Sequence, residues 1–178
     1  MKKGRSAYHR TFNPEIGTKI KNANLEKILE SIWDEHDHRR TAKVNDEDGS
    51  ATKNESSRNF LRREVYALGL CLLKSSASPQ SVVRLVEKIR ASPTTRPEAL
   101  SNTFHALLMC VWDTDQAISR QERSLMAMEL EYAHRHRTPP ELLCGFLYQS
   151  TDRKKLGVKL REGFVEPAFQ QVICLDQS

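Results

Sequence analysis

The stretch that decides the fold is NFLRREVYALGLCLLK, residues 59–74, in which apolar side chains recur every three or four residues. They occupy nearly every side of the helix that this spacing predicts: Leu61, Val65, Leu68 and Leu72 on the main stripe, then Tyr66, Leu70, Cys71 and Leu73. A helix that is apolar almost all round belongs in a protein interior. The stretch therefore predicts the central helix of a bundle.

Segments with helical periodicity lie on both sides of this stretch. Before it, an apolar stripe predicts an amphipathic helix over 23–40, with Asn24 as its N-cap and His36 on its buried face. After it, capping signals and apolar stripes predict five more helices, which begin near Ser78, Thr95, Ser119, Thr138 and Glu166.

Alternating strand patterns and hairpin signals are nearly absent from the sequence. The sequence thus predicts an all-α fold, a compact antiparallel helical bundle of about six to seven helices with a flexible basic N-terminal arm. The predicted units are a basic arm over 1–22, an amphipathic helix over 23–40, a polar linker or loop over 41–56 and a helical bundle domain over 57–178.

The composition fits one domain that works in the cytoplasm. Hydrophobic residues make up 38% of the 178 residues, which is enough for one core. No apolar run approaches the roughly 18 residues that a membrane span needs, and the N-terminal lysines precede no apolar stretch of a secretory signal. The four cysteines lack CxxC spacing and are interpreted as small buried hydrophobes in a reducing compartment: Cys71, Cys110, Cys144 and Cys174.

The net charge of +5 is concentrated at the N-terminus. Residues 1–22 contain six lysines and arginines against one acid, Glu15, which gives this segment a charge of +5. The remaining chain carries 22 basic and 22 acidic residues and is neutral. The basic character therefore belongs to the arm and not to the body.

Cations interleaved with the rings of Tyr8, His9 and Phe12 are typical of a segment that contacts nucleic acid. Cations displace counterions from phosphates, and aromatic rings stack on unpaired bases. The predicted contact residues are Lys2, Lys3, Arg5, Tyr8, Arg10, Lys19 and Lys21. Whether DNA or RNA is bound stays open, and so do two other readings: a solubilising tail, or a lead-in segment that docks on its own domain. An anionic membrane or an acidic protein surface would attract the same charge, although residues 1–22 lack the amphipathic stripe of a membrane-inserting helix.

An acidic turn between two predicted helices gives a second functional hypothesis. The sequence LLMCVWDTDQAISRQERSLMAMEL, residues 107–130, runs from an apolar helix through Asp113 and Asp115 to a capped helix at Glu122. It resembles the half-motif of TerB-like domains, the tellurite-resistance-associated helical family. An ordinary connection between two helices with a capping box has the same pattern.

The resemblance implies an interaction or stress-response module with an acidic, metal-binding site in a helical bundle. Asp115 takes the aspartate position and Glu122 the glutamate position of the family motif, with Asp113 as a further candidate ligand. The sequence departs from the family motif at Gln116, where the family has glycine.

No other pattern predicts a metal, a cofactor or a catalytic centre. His36 and His38, like His134 and His136, are two residues apart, and side chains at this spacing point away from each other on a helix. No catalytic triad spacing or glycine-rich phosphate loop is present. The favoured hypothesis is a non-catalytic accessory protein whose arm contacts nucleic acid, while its body binds a protein partner or a second copy. The less favoured alternative is an enzyme without a recognisable motif, because catalytic groups can come together from distant segments.

Overall fold

The computed structural model describes residues 8–45, 55–75, 82–84, 86, 101–111, 118–150, 152, 154–167 and 169. Six α-helices and one 3-10 turn can be followed along these residues: α1 (Asn22–Asn45), α2 (Ser57–Lys74), α3 (Thr103–Cys110), α4 (Arg120–Arg135), the 3-10 turn (Pro140–Leu142), α5 (Leu143–Ser150) and α6 (Leu156–Arg161). No strand occurs within these ranges. The helices pack on one another as a bundle, which confirms the predicted all-α class.

Helix α2 lies in the middle of this bundle and contacts α1, α3, α4 and α5. Its large buried side chains lie on more than one face: Phe60, Leu61, Val65, Tyr66, Leu68 and Leu72. The hydroxyl of Tyr66 donates a hydrogen bond of 2.8 Å to the carbonyl oxygen of Thr138, as a buried hydroxyl requires. The predicted central position is confirmed, although Leu73 at its end is 41% exposed.

Gly69 allows α2 and α3 to approach closely. The ring of Phe104 on α3 lies over this glycine and stacks on Tyr66, with 5.5 Å between the ring centroids. A Cβ atom at Gly69 would lie 2.4 Å from Cε1 of Phe104, which is far inside van der Waals contact. The missing side chain is therefore part of how the two helices pack.

Helix α1 buries the predicted stripe against α2. Leu25, Leu29 and Ile32 are at most 3% exposed, and His36 continues the same face. The imidazole of His36 lies 5.1 Å from the Trp33 ring, so the prediction of a packed core histidine is confirmed.

The bounds of α1 differ from the prediction at both ends. The helix begins at Asn22, and the amide of Asn24 already bonds to the carbonyl of Lys21, so Asn24 is not the N-cap. At the other end the helix continues to Asn45, through residues 41–45 that the prediction assigned to the linker. Extending an existing helix adds a hydrogen bond per residue without a new nucleation cost, so a polar continuation needs little burial.

Two capping signals can be compared with the structure. Ser119 accepts a hydrogen bond from the amide of Glu122, whose side chain accepts one from the amide of Ser119, so the predicted capping box is confirmed. Helix α3 is capped by Asn102, which accepts a bond of 3.0 Å from the amide of His105. The capping box predicted at Thr95 lies outside the described residues.

The remaining helical predictions are met in part. Val82 and Val86 are buried in a helical segment, as predicted for the third helix. The segment after Thr138 forms the 3-10 turn and α5, and Phe169 is helical at the start of the predicted last helix. Helix α6 was not predicted, although its buried Leu156 and half-buried Leu160 are spaced four residues apart.

Candidate nucleic-acid interface

Residues 8–21, called the docking segment below, lie against the helical body. Phe12 is 6% exposed and Ile20 is 9% exposed, and both belong to the core that α1 and α2 share. Tyr8 also packs against this core, so three side chains of the segment contact the helical body. The reading of a lead-in segment that docks on its own domain holds for this part of the chain.

A buried carboxylate on α2 receives the start of the docking segment. Glu64 is 1% exposed, and Arg10 donates to both of its oxygens at 2.9 and 2.8 Å. The hydroxyl of Tyr8 donates to the same carboxylate at 2.9 Å, and Nη1 of Arg63 lies 2.9 Å from it. This forked arrangement is among the strongest hydrogen-bonded contacts available to a carboxylate.

Two of the three aromatic side chains of the docking segment, Tyr8 and Phe12, pack against the body, whereas His9 is exposed. The Tyr8 ring packs edge-on against Phe60, with 5.1 Å between centroids, and Phe12 is buried. Burial and the negative charge of Glu64 raise the pKa of the Tyr8 hydroxyl, which holds it as a hydrogen-bond donor. The hydrogen bond from Arg10 to Glu64 likewise raises the pKa of Arg10. The buried Phe12 ring is therefore unavailable for stacking on bases, whereas nucleic-acid contact through Tyr8 and His9 stays a prediction.

A turn at Gly17 fixes the second half of the docking segment against the end of α2. Gly17 has a φ of +64°, and a Cβ there would lie 2.8 Å from Cβ of Lys74. The ammonium group of Lys74 donates to the carbonyl of Glu15 at 3.0 Å, and Sγ of Cys71 donates to the carbonyl of Thr18 at 3.3 Å. Only glycine combines this left-handed backbone with so close an approach.

A groove with a volume of about 330 Å³ lies between the docking segment and the first turns of α1. Its lining contains two lysines, hydroxyl and amide groups and two isoleucines, but no carboxylate among the lining residues: Thr11, Thr18, Lys19, Ile20, Asn24, Lys27, Ile28 and Ser31. Lys19, Lys21 and Lys27 are exposed, and none of them forms an ion pair with another residue in the described ranges. The first turn of α1 also lacks acidic residues, so the positive end of the helix dipole stays uncompensated there.

The structure thus separates the predicted contact residues into two groups. Tyr8 and Arg10 are bound to Glu64, whereas Lys19 lines the groove and Lys21 is exposed beside it. Lys2, Lys3 and Arg5 lie outside the described residues.

Sequence reasoning missed the contribution of α1 to this groove. The α1 residues that line it follow helical spacing, a signal that could have placed them on one face: Asn24, Lys27, Ile28 and Ser31.

The acidic turn is described only at its far end. Glu122 caps α4 through Ser119 and pairs with Arg58 of α2. The hydrogen bond from the amide of Ser119, together with Arg58, lowers the pKa of Glu122. Asp113 and Asp115 lie outside the described residues, so cation binding at this turn stays a prediction. In the part of the chain that is described, no three metal-ligating side chains form a cluster.

A second polar cluster holds the chain that follows α6. Nδ1 of His136 lies 2.7 Å from the carbonyl oxygen of Tyr132, and its Nε2 accepts the amide of Glu166 at 2.9 Å. The carboxylate of Glu166 accepts bonds of 2.6 Å from the Tyr132 hydroxyl and 2.5 Å from the Lys159 ammonium group. All these groups are used within the fold, which gives the cluster a structural role.

No helix in the described ranges has the length and apolar character needed to cross a membrane. No family model, no curated protein and no solved structure matches this chain.

Proposed function

We propose that this chain is a non-catalytic helical accessory protein of the cytoplasm that contacts nucleic acid through its basic N-terminal residues. One observation carries the proposal: residues 1–22 hold a charge of +5, and the remaining chain is neutral. Polyanions bind such segments because each phosphate contact releases condensed counterions.

The geometry of the docking segment supports this proposal. Glu64 neutralises part of the charge of Arg10, but Lys19 and Lys21 remain exposed, and α1 adds Lys27 to the same region. Lys19 and Lys27 therefore share one groove where the docking segment meets α1.

The body offers a surface for the protein partner or second copy that the proposal includes. Leu142 in the 3-10 turn is 63% exposed and Tyr148 in α5 is 91% exposed. Aromatic side chains such as that of Tyr148 are enriched in protein interfaces.

The test is fluorescence anisotropy with a labelled duplex and a labelled single strand over a range of salt concentrations. The variant carries Lys2→Gln, Lys3→Gln and Arg5→Gln, which removes three charges and leaves the docking segment intact. We expect weaker binding and a slope of log K against log[salt] that is smaller by about 3.

The matched control carries Lys154→Gln, Lys155→Gln and Arg161→Gln, three exposed cations near α6. It should bind like the unaltered chain. An unaltered chain without salt-sensitive binding would overturn the proposal, and so would a control that loses as much affinity as the test variant.

A further inference from the structure

The groove between the docking segment and α1 has the chemistry of a site for a sugar-phosphate unit. We propose that it binds the phosphodiester backbone of nucleic acid and that it recognises this backbone without stacking on the bases. This inference rests on the proposed function and assigns its contact surface.

The lining supplies cations and neutral donors together. Lys19 from the docking segment and Lys27 from α1 both line the groove, and both side chains are exposed. Thr18 accepts the amide hydrogen of Asn13 at 3.1 Å, so its own hydroxyl hydrogen is free to donate. Phosphate oxygens in protein complexes are bound by this combination of ammonium, hydroxyl and amide groups.

The charge around the groove favours an anion over a cation or a neutral ligand. No carboxylate belongs to the lining, and the first turn of α1, which contributes Asn24, carries no acid. The partial positive charge at the start of this long helix therefore adds to that of the two lysines.

The size of the groove limits what enters it. A volume of about 330 Å³ lies at the lower end of the range for small-molecule sites. One sugar-phosphate unit fits this space, whereas a protein helix or a nucleic-acid duplex can only lie across its mouth. The apolar side chains of Ile20 and Ile28 give the sugar a surface to contact.

The absence of an aromatic platform determines the mode of recognition. The groove lining contains no aromatic ring: Tyr8 and Phe12 of the docking segment pack against the body, and the exposed His9 is not part of the lining. Binding of unpaired bases relies on aromatic side chains that stack on them. The ligand is therefore read by its backbone, and base sequence contributes little.

The decisive comparison uses a labelled single strand and an abasic strand of the same length, which keeps sugars and phosphates but lacks bases. We expect the full chain to bind the two strands with similar affinity. A large loss of affinity for the abasic strand would overturn recognition through the backbone.

The groove itself is tested with Lys19→Gln combined with Lys27→Gln. We expect an affinity loss of about tenfold or more at low salt and a salt slope smaller by about 2. Lys19→Arg combined with Lys27→Arg keeps both charges and should retain most of the binding. The matched control is Lys154→Gln combined with Lys155→Gln, and circular dichroism checks that every variant is folded.

The outcomes separate the two proposals. If the Lys2, Lys3 and Arg5 variant loses binding and the groove variant does not, the groove proposal falls and the proposed function stands. If the unaltered chain binds neither strand nor duplex, both fall. Binding only to vesicles that contain phosphatidylserine would also overturn both, in favour of a lipid surface.

Discussion

At Glu64, a carboxylate with 1% exposure holds two parts of the chain together that are 54 residues apart. Glu64→Gln keeps the shape of the side chain but removes the charge that Arg10 and Arg63 neutralise. Their side chains are 20% and 27% exposed, so we expect a loss of about 2 kcal/mol, below the roughly 3–5 kcal/mol of fully buried pairs.

Urea unfolding measures this loss, and Arg40→Gln is the control. Arg40 pairs with Asp37 at the surface, where an ion pair contributes about 0–1 kcal/mol. Equal effects of the two substitutions would contradict the role assigned to Glu64.

Two partly or fully buried histidines predict a pH dependence of stability. Burial lowers the pKa of His36, with a smaller contribution from the positive charge of Arg40, and burial also lowers the pKa of His134. The unfolded chain therefore takes up protons first as the pH falls. This contribution to stability is complete above about pH 6.5 and is lost progressively below it.

We expect the midpoint of urea unfolding to fall between about pH 7 and about pH 5. His36→Leu should reduce the decrease, because an apolar side chain takes up no proton. His38→Gln, at an exposed position of the same helix, serves as the control. An unchanged pH dependence in the His36 variant would contradict the assignment.

At the scale of elements, the contact between α2 and α3 depends on a missing side chain. Gly69→Ala places a Cβ against the Phe104 ring, and we expect a loss of about 1–3 kcal/mol from overpacking. Gly145→Ala in α5 is the matched control because a Cβ there meets no atom within 4 Å. Because alanine has a better helix propensity than glycine, Gly145→Ala should leave the free energy of unfolding unchanged or raise it by about 0.5–1 kcal/mol. Thermal unfolding of both variants checks the difference.

Elements with a local signal could be predicted from the sequence. The apolar pattern of 59–74 placed α2, and the Ser119 box placed the start of α4. Helix α6 was missed because six residues with one buried leucine give a weak periodic signal. The extension of α1 to Asn45 was missed because those residues are polar, and a helix can continue without burial.

The sequence left the docking of residues 8–21 on their own domain as one of several open readings and could not select it. Its two apolar anchors, Phe12 and Ile20, lie on either side of the turn at Gly17, so their spacing along the chain does not show that both are buried. The partner of Arg10 lies 54 residues further along the chain. The composition shows the positive charge of the segment, but it cannot show which lysines and arginines form ion pairs with the helical body.

At the scale of the whole molecule, the docking segment is expected to contribute to the stability of the body. Ile20→Ala should cost about 2 kcal/mol or more, because a buried isoleucine leaves a cavity. Ile16→Ala, in the same segment but 78% exposed, should cost less than about 0.5 kcal/mol. Chemical unfolding that showed equal effects would mean that the segment does not share the core.

The rate at which a reagent labels the Cys71 thiol reports how often the docking segment detaches from the body. Its thiol is fully buried beneath the carbonyl of Thr18, and burial raises the pKa of the thiol. A thiol reagent should modify Cys71 only when the segment lifts away, whereas the half-buried Cys144 serves as an internal reference. Because the groove is built from both the segment and α1, a strand bound there should slow the labelling of Cys71 and leave that of Cys144 unchanged.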